Sequence, residues 1–308
     1  MQILGLESLV FGAEDMAAAR TYLLDYGLDE HDAGPAGGTY EAADGTSVVL
    51  RHASDASLPP SNAPSPNLRE TIYGVPSQAV LEEIAAELSK DREVRTDTEG
   101  TIHAVDDGGF ALGFRVTRRR KFELPLLRFN VPGQSPGRGV NECAASKTEI
   151  IRPRTLSHVV YFVPDVKKAE AFYKDRLGFR VTDRFIGLGP FMRPAGTLDH
   201  HNLFMIQSFN SHMVGMNHFT FHLGSGHEVL HAGWRFAQRG YKSFWGPGRH
   251  IMGSNYFWYF NSPFGGTMEF DADMDLHDDA WTPREMLPGA DNSQIFLFEA
   301  KDKWAPGE

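Results

Sequence analysis

The chain has 308 residues, 41% of them apolar and 23% charged, which is comfortable for two domains and supplies core-building residues throughout. Its net charge of −10 speaks against a nucleic-acid or anionic-membrane surface, and the one basic cluster, Arg118–Lys121, is too short to change that. A single cysteine, Cys143, excludes an intrachain disulfide framework and makes a reducing, cytoplasmic setting the expectation.

The opening MQILGLESLVFG carries no basic segment followed by an apolar run, so a signal peptide is not expected. No apolar run approaches the ~18 residues of a membrane span. Residues 5–29 read as a strand, a capping Asp15, an amphipathic helix and a stop at Gly27. A loop, SLPPSNAPSPN, follows at 57–67. Residues 69–117 give a strand TIYGV, a helix SQAVLEEIAAELSK and a hairpin TIHAVDDGGFALGFRV. NVPGQSPGRG at 130–139 is linker-like.

At 155–179 the first unit recurs. Leu156 matches Leu6, Asp165 matches Asp15, and Gly178 matches Gly27 after a one-residue gap. Val166, Ala169, Tyr173 and Leu177 follow helical spacing and should face a sheet. After DHHNLFMIQ at 199–207, residues 216–273 repeat the second unit: a strand Met216–His222, a helix over about His227–Arg239 stopped by Gly240, and a hairpin. The chain is therefore four strand–helix–strands modules, an α+β arrangement with two modules in each half. The expected division is 1–117, a linker at 118–154, 155–273, and a tail at 274–308.

The second hairpin places chemistry on one face. Asn255, Phe257 and Tyr259 alternate on one strand, and Thr267, Glu269 and Asp271 on the next. A five-residue loop at 262–266 pairs Asn261 with Thr267, which sets Tyr259 beside Glu269. Taken alone, a phenol beside a carboxylate is a satisfied strand-surface hydrogen bond. His158 and His218, also inside apolar strand runs, taken singly read as buried histidines bonded to backbone.

The halves differ where it matters. Ser8 stands at the position of His158, Leu112 or Gly113 at that of Glu269, and the strand RETIYGV, matching MNHFTFHL, has no histidine. Ten of the thirteen histidines lie from residue 158 onward. His227 and His231, four apart on a helix, read as a solvated face, His212 and His277 as loop residues, and His222 as lying toward a strand end.

On these motifs the chain resembles the vicinal oxygen chelate superfamily, and within it the two-domain type I extradiol dioxygenases that cleave catechol rings. The resemblance implies tandem βαβββ modules paired into open barrels, with a metal in the C-terminal half only. LSHVVYF, MNHFTF and GTMEFD would supply His158, His218 and Glu269 as ligands of Fe(II), a set that also accepts Mn(II). DHHNLFMI would supply His201 as acid–base residue, with His200 adjacent. GRHIMGSNYFWY would supply His250 and Tyr259 as partners of substrate oxygens.

Val160 and Asn255 are expected to contact the substrate, and Phe191, Phe204, Phe257 and Trp258 to lie near it. The implied partners are a catechol and O₂, with no nucleic acid or membrane, in a homo-oligomer. The alternatives are a glyoxalase-like isomerase, a keto-acid dioxygenase, or a metal-free small-molecule binding protein.

Overall fold

The computed structural model describes residues 1–34, 36–144, 146 and 151–299. Four modules follow one another. The first is β1 (Gly5–Ala13), α1 (Met16–Tyr26), β2 (Asp29–Gly34), β3 (Gly37–Glu41) and β4 (Ser47–His52). The second is β5 (Asn67–Val75), α2 (Gln78–Leu88), β6 (Arg95–Thr96), β7 (Ile102–Val105) and β8 (Ala111–Val116). The third is β9 (Thr155–Val163), α3 (Val166–Ala171), β10 (Arg180–Phe185), β11 (Gly189–Arg193) and β12 (Leu203–Gln207). The fourth is β13 (Gly215–His222), α4 (Gly226–Gln238), β14 (Ser243–His250), β15 (Tyr256–Asn261) and β16 (Thr267–Ala272). The tail adds β17 (Arg284–Met286), a short α5 (Ala290–Ser293) and β18 (Gln294–Leu297).

The helices start and stop for local reasons. Asp15 and Asp165 cap α1 and α3 by accepting from Ala18 and Lys168 nitrogens at 2.9 and 3.0 Å. Gly27 ends α1 with φ of 111°, a conformation open to glycine. The helix of the third module departs from expectation: after one α-helical stretch it widens into a π-turn over Phe172–Arg176. Ala169, Tyr173 and Leu177 are nevertheless buried and Val166 packs against the core.

The first two modules build one eight-stranded sheet, in the order β2-β3-β4-β1-β5-β8-β7-β6. The last two build a ten-stranded sheet, β17-β10-β11-β12-β9-β13-β16-β15-β14-β18. Each module folds its last strand back parallel to its first, and the two modules of a half join antiparallel, β1 to β5 and β9 to β13.

The tail supplies both edge strands of the second sheet: β17 joins β10 and β18 joins β14. Only residues 287–293 separate β17 from β18. Two sheet edges joined by so short a segment must approach each other, because a chain covers at most about 3.5 Å per residue. The sheet therefore curves round and the tail straps its open side. Residues 300–308 of the expected tail, and 145 and 147–150 of the expected linker, lie outside the described residues.

The two sheets do not have separate cores. One cluster of buried side chains runs through both halves, with Tyr26 of α1 stacked on Phe270 of β16 at 4.2 Å and Phe11 of β1 against Phe219 of β13 at 5.0 Å. A second, small cluster of Val160, Phe185, Phe191, Phe204 and Met252 lies apart from it inside the curved sheet.

Candidate metal centre

β15 and β16 pair with Asn261 opposite Thr267 and Tyr259 opposite Glu269, the register that the hairpin pattern demands. β16 also runs parallel to β13, which sets His218 opposite Thr267 and Thr220 opposite Glu269. β13 pairs with β9 so that Thr220 stands opposite His158. Three adjacent strands thus bring His158, His218 and Glu269 together although they are far apart in the chain. One ligand-type atom from each lies within 4.8 Å of the others, the one such group among the described residues.

The geometry of these atoms fits a cation. Glu269 is fully buried, yet neither carboxylate oxygen has a hydrogen-bond partner. Its Oε2 lies 3.2 Å from His158 Nε2 and 3.7 Å from His218 Nε2. Those contacts are not ion pairs, because burial pushes the pKa of both imidazoles down to about 3 and keeps them neutral.

The proton on each ring is accounted for elsewhere. His218 Nδ1 donates to Asn217 Oδ1 at 2.6 Å, and His158 Nδ1 faces Ser157 Oγ at 3.1 Å. Ser157 in turn donates to Asp271 at 3.3 Å. Both Nε2 atoms therefore present lone pairs, and they do so 3.3 Å from each other. Two lone pairs and an unpaired carboxylate converging in a buried spot repel one another unless a cation sits between them. The three residues fit a divalent metal, and two imidazoles with one carboxylate leave open positions on it.

Above this centre is a cavity of about 270 Å³. His158, His218, His201, His250, Tyr259, Asn255 and Val160 all line it; His200 does not. His201 stands beside His158, ring centroids 4.2 Å apart. Burial lowers the His201 pKa well below the ordinary histidine value. His250 Nδ1 faces the carbonyl of Ser293 at 3.2 Å, and its Nε2 faces the Tyr259 hydroxyl at 3.2 Å. Burial, and then the nearby Glu269 charge, raise the Tyr259 phenol well above its ordinary range, so it is a hydrogen-bond donor.

The far wall is aromatic, with Phe191 and Phe204 stacked at 4.0 Å. Two of the expected neighbours stand elsewhere. Trp258 faces α4, close to Gly233, and its indole donates to Ser243. Phe257 is one layer back, stacked on His250 at 4.0 Å rather than lining the cavity. Strand alternation places Trp258 on the opposite face from Tyr259.

Several polar residues escaped the sequence reading. Asp183 and Arg284 stand behind His200, and the carbonyl of Ser293 holds His250. Asp183 could have been noticed, since a carboxylate inside the strand RVTDRF raises the same question as Glu269 does. Among the other histidines, His277 is not a free loop residue: it stacks on Trp281 at 3.9 Å and meets His200 edge-on at 5.4 Å. His222 bonds Asp271 at 2.8 Å.

The first half keeps a trace of the same layout. Its β1–β5 pairing repeats the β9–β13 pairing bulge for bulge: Ser8 faces Ile72 as His158 faces Thr220, and Val10 faces Glu70 as Val160 faces His218. Ile72 then faces Gly113 as Thr220 faces Glu269, and His103 faces Gly113 as Tyr259 faces Glu269. The matched strand has no histidine, but it has Glu70, which bonds His103 at 2.6 Å, and His103 reaches Asp97 at 3.1 Å. Hydrogen bonds between side chains satisfy there what the second half leaves open.

Comparisons with known proteins agree with this geometry. Residues 155–270 match the Glyoxalase/Bleomycin resistance protein/Dioxygenase superfamily. The chain is 36% identical over 141 residues to Metapyrocatechase 2 of Cupriavidus necator, 46% of this chain and 43% of that protein, so the match spans less than half the relative's length. The Mn(II)-bound glyoxalase of Novosphingobium aromaticivorans superposes with a TM-score of 0.77 at 19% identity, covering 99% of this chain and 97% of that one. The 2,2',3-trihydroxybiphenyl 1,2-dioxygenase of Sphingomonas wittichii gives 0.73 at 18% identity, with 97% and 100% covered. Among the described residues no helix is long and apolar enough to cross a membrane. The paired modules and the converging His158, His218 and Glu269 thus lie in the half of the chain whose residues 155–270 match the Glyoxalase/Bleomycin resistance protein/Dioxygenase superfamily.

Proposed function

We propose that this protein is an extradiol dioxygenase, cleaving catechols beside the vicinal diol, with Fe(II) or Mn(II) held by His158, His218 and Glu269. In this reading residues 155–273 are the catalytic domain, residues 1–117 a metal-free scaffold, and the protein a cytoplasmic homo-oligomer. The observation that carries the reading is the unpaired, buried Glu269 carboxylate facing two neutral imidazoles at the floor of an aromatic cavity. The likeness to Metapyrocatechase 2 and the shared fold with solved ring-cleaving dioxygenases support it.

Each residue has a job that follows from its place. A divalent metal supplies the redox chemistry that couples a catechol to O₂. Phe191 and Phe204 provide a flat wall for the ring and exclude water. His201 has Nδ1 engaged with His200, so Nε2 is the nitrogen available to take a proton from a catechol hydroxyl and return it as the ring opens. Tyr259 is the donor of the pair: its hydroxyl, which meets His250 Nε2 at 3.2 Å, can turn its proton toward charge that develops on substrate oxygen, while His250, its Nδ1–H held by the Ser293 carbonyl, keeps the phenol in place. Val160 and Asn255 complete the wall on the side of β9 and the β14–β15 connection.

Among the described residues no lysine or arginine lines the cavity. A carboxylate carried on the ring would therefore lose its hydration without gaining a cation. The substrate class is a catechol bearing an uncharged, apolar substituent.

The test is an aerobic assay after anaerobic reconstitution with Fe(II) or Mn(II). Alkyl- and aryl-substituted catechols should give yellow ring-fission product, and carboxylate-bearing catechols much less. A metal-loaded protein that opens no catechol, but isomerises a hemithioacetal, would instead make it a glyoxalase.

A further inference from the structure

Behind His201 a line of buried side chains runs away from the cavity. His201 Nδ1 lies 2.9 Å from His200 Nδ1. His200 Nε2 lies 2.8 Å from Asp183 Oδ2. Both His200 and Asp183 are fully buried. Asp183 is gripped from its other side by Arg284 of β17, whose backbone nitrogen, Nε and Nη2 reach it at 2.8, 3.1 and 2.5 Å. Trp281, just before, donates to the carbonyl of Thr182 at 2.8 Å, and His277 stacked on it caps His200.

The order of donors in this line is set from its far end. Burial opposes charge on Asp183, but hydrogen bonds from His200 and Arg284 outweigh it and hold the carboxyl near 2, so it is ionised and only accepts. Arg284 already supplies the matching cation, so His200 need only be a neutral ring. Its one proton must then sit on Nε2, facing Asp183, which leaves Nδ1 as an acceptor. His201 must donate to that acceptor from its own Nδ1, and its Nε2 is left with a lone pair on the cavity side.

We propose that His200 and Asp183, clamped by Arg284 of the C-terminal tail, are positioning residues that fix His201 in the Nδ1–H tautomer with an unprotonated Nε2 toward the substrate. The proposal rests on His201 being the acid–base group of the ring-cleavage reading. It gives the tail a task in the chemistry: Arg284 steadies His201 from one sheet edge while the Ser293 carbonyl steadies His250 from the other. A catalytic histidine that can take either tautomer spends part of its time with a proton where it needs a lone pair.

The primary test needs no substrate. Nitrogen-15 histidine spectra of the full chain loaded with diamagnetic Zn(II), with His201 assigned by its loss in His201→Asn, should show it protonated on Nδ1. Asp183→Asn replaces an acceptor with an amide that can donate to His200 Nε2, and should reverse the line so that His201 becomes Nε2–H. In turnover, Asp183→Asn and His200→Phe should lower kcat by roughly 10²-fold with little change in KM and full metal content. His200→Gln should recover most of that loss, since its carbonyl can accept from His201 while its amide donates to Asp183.

An Nε2–H tautomer in the wild-type chain would overturn the proposal, as would wild-type kcat in Asp183→Asn. If His200→Phe does not fold, the wild-type spectrum and Asp183→Asn still decide. A wild-type protein that opens no catechol would end the ring-cleavage reading alone, because the spectra record the tautomer without any reaction.

Discussion

Glu269 and Tyr259 are opposite each other across two strands, yet their surroundings give them separate work. Glu269 is the carboxylate without a partner, so Glu269→Gln is expected to lose the metal: a neutral amide leaves the cation's charge less balanced. Metal content after anaerobic reconstitution checks this, with one metal per chain expected for the wild type. Tyr259→Phe is expected to keep metal and substrate binding while slowing turnover by ~10²–10³, the usual cost of one preorganised donor. Loss of metal in Tyr259→Phe would put the phenol among the ligands.

His222 makes a different prediction. Burial pushes its pKa down, but the Asp271 carboxylate at 2.8 Å outweighs burial and raises it to about 9. A folded pKa above the ordinary value of about 6.5 contributes stability that is complete below pH ~6.5 and is lost as pH rises through ~9. Its side chain is 14% exposed, so the contribution is trimmed to ~2 kcal/mol. Urea unfolding at pH 6 and pH 9.5 should show that difference in the wild type and a smaller one in His222→Gln.

At the scale of elements, the site depends on registers that bulges and turns set. β9 and β13 are offset by two irregularities that flank Thr220 and His218, and β1 and β5 carry the counterparts. The same bulges in the half without His158, His218 and Glu269 show that the strand pairing does not depend on those three residues. The turn before β16 adds a constraint. Gly266 has φ of 62°, and a Cβ there would come within 2.5 Å of the carbonyl of Asn217, next to His218. Gly266→Val should therefore push β13 from β16 and destabilise the fold by about 2 kcal/mol or more, through backbone strain and the clash. It should also weaken the metal site. A melting temperature lowered in both metal-free and metal-loaded protein, with a larger drop in the loaded form, is the expected result.

Across the whole molecule the two halves are held together through the site's own strands. Tyr26 of the first half donates to the backbone carbonyl of Glu269 at 2.6 Å, and Thr220 donates to the same oxygen at 2.6 Å. Tyr173 reaches Asp106 at 2.8 Å, and Tyr161 bonds Thr71. With a common core and buried polar contacts across the join, the halves should unfold together. All five tryptophans lie at residue 234 or later, so their fluorescence reports the second half while far-ultraviolet circular dichroism reports the whole. The two denaturation curves are expected to coincide; a fluorescence transition displaced from the dichroism transition would show halves that unfold independently.

The sequence by itself determined what is local or repeated. Module boundaries, helix caps at Asp15 and Asp165, and the hairpin that pairs Tyr259 with Glu269 follow from periodicity, capping and turn length, which act over a few residues. His158, His218 and Glu269 stood out because polar groups in apolar strands need a reason. What only the tertiary structure decided are the contacts that depend on how a sheet curves and which strand becomes an edge. Arg284 reaches Asp183 from 101 residues away, and His103 finds Glu70 from 33 residues away. The tail's two strands lie at opposite edges of one sheet, and Trp258 turns from the cavity to α4. Such contacts leave no period in the chain: a short strand pairs with whichever edge the packed core exposes, and a buried carboxylate takes whichever donor that packing brings.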